Sequence, residues 1–183
     1  MNSKAQTIDE LEAIFHRHGF SDFKWTTPDD IIVSNWVRMK CKFGCPDYGR
    51  IAACPPNTLS VSECREFFSE YTDIAIFHLG KKLDSIDERH DLVRDFDNKL
   101  LELEKEVFLA GNVKTFLLFA GSCSLCKECA NLREECKQPY HARPTAEAMA
   151  VDVFSSVRNV GYPIEVLKEY TDTMNRYAFL LVR

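Results

Sequence analysis

The sequence predicts an α/β or α+β sandwich: a small mixed sheet of about four strands, helices packed on it, and two cysteine-rich loops at the strand ends. Three observations carry this expectation. Short apolar runs alternate with stretches of helical period, the composition is that of an ordinary globular chain, and the eight cysteines fall into two local groups of four. At 183 residues, 45% hydrophobic and 28% charged, the chain (1–183) reads as a single metal-binding domain able to bury a core of its own.

Thr7 to His18 has Ile8, Leu11, Ile14 and Phe15 on one side and Gly19 as a stop, which predicts a short amphipathic helix. Asp30 to Met39, with Ile31, Ile32, Val33, Trp36 and Val37, predicts a strand running into Cys41. Gly44, Pro46, Gly49, Pro55 and Pro56 make 41–58 a loop. Ser60 and Glu63 form a capping box ahead of a helix to about Tyr71. Asp73 to Leu79 reads as a short apolar strand. A long helix from about Ile86 to Ala110 follows from Leu92, Val93, Phe96, Leu100, Leu103 and Val107, with Gly111 and Asn112 ending it. Val113 to Ala120 is the strongest strand signal and leads straight into Cys123. Thr145 to Val157 and Pro163 to Glu169 read as helices, and Arg176 to Val182 as a last strand. Both cysteine loops then follow a strand, and a locally parallel sheet would bring them to one edge.

No apolar run approaches the roughly 20 residues that a spanning helix needs. The N-terminus lacks the apolar core and small-residue cleavage site of a secretory leader, so the expected location is cytoplasmic. In a reducing compartment clustered cysteines point to metal or redox chemistry rather than disulfides. The net charge is −5, and two thiolate-bound clusters would take it to roughly −9. No basic run is present, which argues against a nucleic-acid partner.

Cys123, Cys126 and Cys129 form C-x2-C-x2-C, with Cys136 after six further residues. One short loop can turn three such thiolates toward a common centre, as a cubane iron–sulfur cluster requires. Tetrahedral zinc also accepts C-x2-C pairs and is the alternative, but zinc sites usually split into two separated knuckles. The spacing resembles the bacterial ferredoxin run except at Cys136, which can close its own site or ligate across to the other group.

Cys41, Cys45, Cys54 and Cys64 form the second group. A radical-SAM spacing would need a cysteine at position 48, which is Tyr48. Cys64 follows the capping box, where the helix N-terminus favours a thiolate. The alternative makes Cys64 a core thiol beside a three-ligand site. Pro46, Pro55 and Pro56 stiffen the loop. His141 reads as an ordinary backbone partner, and Asp91, Asp95 and Asp97 as a solvated helix face. No phosphate loop, nucleophile elbow or paired-carboxylate motif is evident.

The segments 40–50, 54–56, 63–65, 123–129 and 143–148 resemble the DUF2284 family of predicted metal-binding proteins, found mainly in anaerobic bacteria and archaea. The similarity runs from about Trp36 to the C-terminus. Where members typically carry Gly-Ile-Asp-Val, this chain has Ala150, Val151, Asp152 and Val153, a departure that leaves the cysteines untouched. The resemblance implies metal binding and suggests iron–sulfur clusters.

The expected function is a small iron–sulfur protein with two [4Fe–4S] clusters, held by all eight cysteines, that exchanges single electrons with a redox partner protein. Two other classes stand beside it. One is an enzyme with an incompletely ligated cluster open to substrate; the other is a zinc-stabilised interaction module.

Overall fold

The computed structural model describes residues 6–83, 85–169 and 171–183. Residues 1–5, on which part of the leader reading rests, lie outside the described residues.

Helix α1 (Ile8–Arg17) opens with a Thr7–Glu10 capping box, in which two otherwise unpaired backbone N–H groups are satisfied reciprocally. Gly19 closes it at φ +83°, a conformation that costs glycine nothing. Strand β1 (Phe23–Thr26) had no clear sequence signal. Helix α2 (Asn35–Gly44), helix α3 (Val61–Ser69), strand β2 (Ile74–Lys81) and helix α4 (Ile86–Leu109) follow. Strand β3 (Phe116–Leu118), helix α5 (Val153–Asn159) and strand β4 (Met174–Leu181) complete the chain.

The class is mixed α/β, and the four strands form one open sheet in the order β1-β2-β4-β3 with every pair antiparallel. Period-two alternation sends neighbouring side chains to opposite faces. Ile74, Ile76, Phe179 and Leu181 pack with α3 and α5, through Phe68, Val153 and Val157. Ala75, Phe77, Ala178 and Leu180 pack with α1 and α4, through Leu11, Phe15, Leu100 and Leu103. Both faces are covered, so the strands read as unbroken apolar runs.

Edge strand β3 is held from the side by α4. Leu117 N–H donates to Glu104 at 2.8 Å, and Ala120 and Gly121 N–H donate to Asp97 at 2.8 and 3.3 Å. Asp97 is therefore buried, not part of the expected solvated face.

Three further elements differ from expectation. The β-branched run Ile31–Val33 yields only a bridge between Val33 and Val151, and Ser34 then starts α2. Past Val33 the helix formers Arg38, Met39, Lys40 and Lys42 follow, with Val37 turned into the core. Residues 145–157 are broken at Ala150 (φ +60°), because Ala150 C=O and Asp152 N–H pair with Ser34 and Ile32. Asp152 then caps α5 by accepting from Ser155 N–H. Residues 163–169 form no helix. The carbonyls of Pro163 and Ile164 accept from Tyr177 Oη–H and Arg158 instead of from N–H groups further along the chain. No helix among the described residues is long and apolar enough to cross a membrane.

Candidate metal centre

Cys41 lies in the last turn of α2, and Cys45 is its C-terminal cap. The helix is anchored by Arg38, whose guanidinium donates to Thr58 Oγ1, Leu59 C=O and Ala148 C=O at 3.2, 3.0 and 2.9 Å. The first cysteine group thus starts from a helix, where a strand was expected. Beyond it the chain doubles back. Tyr48 N–H donates to Cys45 C=O, Gly49 N–H to Pro55 C=O, and Cys54 N–H to Ile51 C=O. Gly49 sits at φ +71°, where a side chain would be strained. This fold-back brings Cys54 round to Cys41 and Cys45. The three line one cavity of about 140 Å³, whose remaining wall includes Tyr48, Ser122, Thr145, Glu147 and Arg176.

Cys64 goes elsewhere. It is 0% exposed and belongs to the apolar core with Phe68, Met149 and Ile31. Its thiol faces Leu59 C=O at 3.7 Å and the Arg38 side chain. The Ser60–Glu63 capping box forms as the sequence predicts. Burial nevertheless pushes the Cys64 thiol up, with Arg38 opposing.

The second group follows β3. Cys123, Cys126, Cys129 and Cys136 all line one small cavity of about 20 Å³, together with Ala52, Ala53 and Ala142. Ala52 N–H donates to Cys129 Sγ at 3.2 Å, and the backbone of Leu125 hydrogen-bonds Cys123. Behind the loop, Arg143 forks onto Glu104 at 3.0 and 3.1 Å, which fixes the chain just past His141.

The two sites adjoin. Ser122 hydrogen-bonds Cys54 and is followed in sequence by Cys123. Ala52 links the first loop to Cys129, and Asn57 Nδ2 donates to Asn131 C=O at 2.7 Å. They meet through loop contacts, although the sheet is antiparallel and only the second loop follows a strand.

Burial dominates the electrostatics of these thiols, and Arg38 opposes it only in part. Burial pushes Cys54 up to about 12, and the charges of Asp47, Cys45 and Cys41 add to it. Burial also raises Cys41, against the pull of Arg38, and raises Cys123, against the Leu125 hydrogen bond. A bound cation reverses that balance, because thiolate is the ligating form. Among the described residues no three His, Cys, Asp or Glu side chains close on a single ion. Zinc would require sulfurs about 3.8 Å apart, set by Zn–S bonds of about 2.3 Å.

The donor set fits a cluster-type cofactor. Four soft thiol donors stand around one cavity and three around the other, and a backbone N–H already points at a sulfur. Sequence reasoning did not find Ser122, Glu147, Arg176, Asp97 or Glu104 as parts of the site. They arrive from distant elements, and only Ser122, beside Cys123, had a positional signal.

Fold and loop geometry bring seven of the eight cysteines to two adjoining cavities. The chain belongs to the DUF2284 family of predicted metal-binding proteins, whose family model matches residues 24–182. No curated protein matches the chain, and no solved structure does.

Proposed function

We propose that the protein is a cytoplasmic iron–sulfur protein with two [4Fe–4S] clusters that exchanges single electrons with a redox partner protein. The observation that supports this reading best is the second site. Four thiols line one small cavity, and the N–H of Ala52 is directed at Cys129 Sγ. Cys123, Cys126, Cys129 and Cys136 would hold one cluster, and Cys41, Cys45 and Cys54 the other. A cubane cluster bound by such thiolates supplies one-electron redox chemistry. The chain's own part is to hold the sulfurs, to donate N–H groups to them and to limit water, which together set a potential. Ser122 and the Ala52–Cys54 segment keep the sites in contact, as a relay between them requires.

A second reading, an enzyme with an incompletely thiolate-ligated cluster, draws on one observation. Cys64 faces the core and Arg38, while Glu147, Arg176 and Tyr48 face the first cavity.

The test is an iron and acid-labile sulfide count on anaerobically purified protein, with absorption and EPR spectra. A brown protein with roughly eight iron and eight sulfide per chain is expected. A colourless protein that keeps one or two zinc and no sulfide after anaerobic reconstitution would sink the proposal.

A further inference from the structure

We infer that the fourth protein donor at the Cys41–Cys45–Cys54 site is the carboxylate of Glu147, and that Cys64 is not a ligand. This deepens the proposed function and rests on it.

Glu147 opens the short 3-10 turn Glu147–Met149, between Ala146 and the left-handed Ala150. That turn is fixed through its middle residue. Ala148 N–H donates to Thr145 Oγ1 at 3.1 Å, and Ala148 C=O accepts from Arg38 and Thr58 at 2.9 and 3.0 Å. It lies against the end of α2, where Cys41 Sγ–H points at Glu147 C=O at 3.9 Å. The residue therefore lines the same cavity as the three thiols from a rigidly held backbone. Among the described residues its carboxylate has no hydrogen-bond or ion-pair partner. Glu147 is exposed, and its charge acts on the Cys41 thiol in the same cavity.

Cys64 has the opposite surroundings. Its thiol is enclosed by apolar core, and its polar neighbours are Leu59 C=O and the Arg38 guanidinium. Arg38 is itself tied to residues 58, 59 and 148, so it occupies the approach between Cys64 and α2. For Cys64 to ligate, Arg38 would have to leave three hydrogen bonds and the core would have to open.

Oxygen is a harder donor than sulfur and holds iron less firmly in a thiolate-rich set. One iron of this cluster is then distinct and exchangeable. Ferricyanide would take one electron from a [4Fe–4S]2+ core to give the 3+ state. That state releases Fe2+ and leaves [3Fe–4S]+.

The test uses full-length protein prepared anaerobically as wild type, Glu147→Gln, Glu147→Cys and Cys64→Val. Valine cannot ligate iron and adds only about one methyl group to the volume of the buried cysteine. Wild type and Cys64→Val should both hold roughly eight iron per chain with identical EPR spectra. Glu147→Gln should fall to roughly seven or fewer and carry a three-iron EPR signal as isolated. Glu147→Cys should keep roughly eight and lose iron to ferricyanide more slowly than wild type. Wild-type iron and spectra in Glu147→Gln would overturn the inference, as would iron loss in Cys64→Val. A wild type without iron would instead remove the proposed function, and this inference with it.

Discussion

Asp97 couples the fold to pH. Its carboxyl is pushed from 3.8 up to about 7, chiefly by burial, against the N–H groups of Ala120 and Gly121 and the charge of Arg176. The native chain therefore binds more protons than the unfolded one between about pH 4 and 7. Stability falls as pH rises through that window and levels off above it. An Asp97→Asn variant keeps one oxygen to accept an N–H and loses the titration. Denaturant midpoints at pH 5, 6, 7 and 8 should show the variant gaining on wild type by about 1 kcal/mol per pH unit up to 7, and no further above it. Parallel curves would mean that Asp97 titrates normally. Nothing in the sequence separated Asp97 from Asp91 and Asp95. Its burial follows from where the end of β3 and the residues just before Cys123 come to lie.

At the scale of elements, α4 is the part that makes an edge strand usable. Glu104 accepts from Leu117 N–H and from Arg143, so one carboxylate holds both the start of the cysteine loop and the segment beyond it. Glu104→Ala strands a buried N–H and a mostly buried guanidinium, and should destabilise by about 3 kcal/mol. Chemical denaturation of the holoprotein measures this, and a cost below about 1 kcal/mol would demote the pair to an exposed one. Gly121 supplies a second case. A Cβ there would lie 2.6 Å from Val93 Cγ1, on a side chain with little rotameric freedom. Gly121→Ala should cost about 1–3 kcal/mol through overpacking and shift the Cys123 loop away from α4. An unchanged thermal midpoint and EPR spectrum would show that Val93 yields. The long helix, β2, β4 and the capping boxes were legible because period and caps are local. The helix at Asn35–Gly44 was not. Its β-branched neighbours Ile31–Val33 are extended only to meet Val151, a contact 118 residues away in the chain. The cysteines were legible by spacing, but the direction of Cys64 was not. Capping chemistry placed it correctly at the helix start, whereas its exposure depends on Arg38 and Met149, which arrive from elsewhere.

Over the whole molecule, the sheet and its two packed faces form one body, and the cysteine loops form another kind of structure lying against it. The loops cross-link through Ala52–Cys129, Asn57–Asn131 and Cys54–Ser122, with only small apolar residues such as Ala52 and Ala53 buried among them. Thiols that repel one another once ionised cannot hold such an arrangement by themselves. Under the proposed function, metal binding should contribute directly to the folding of residues 45–58 and 122–142 and little to the sheet. Trypsin offers a controlled test, because exposed lysines and arginines occur in both regions. Arg50, Lys127 and Lys137 are exposed in the loops, and Lys99 and Lys105 are exposed on α4. Side-chain access is alike; backbone protection is not, since α4 is anchored by Phe96, Leu100, Leu103 and Val107. Removing bound metal with a chelator under reducing conditions should make the three loop sites cut first, at least tenfold faster than in holoprotein. Opening of these loops is then cheaper by about 1.4 kcal/mol or more. Lys99 and Lys105 should stay protected over the same period. Equal rates at Arg50, Lys127 and Lys137 in both forms would show that the loops fold without metal. Simultaneous cutting at Lys99 would show that metal organises the sheet as well.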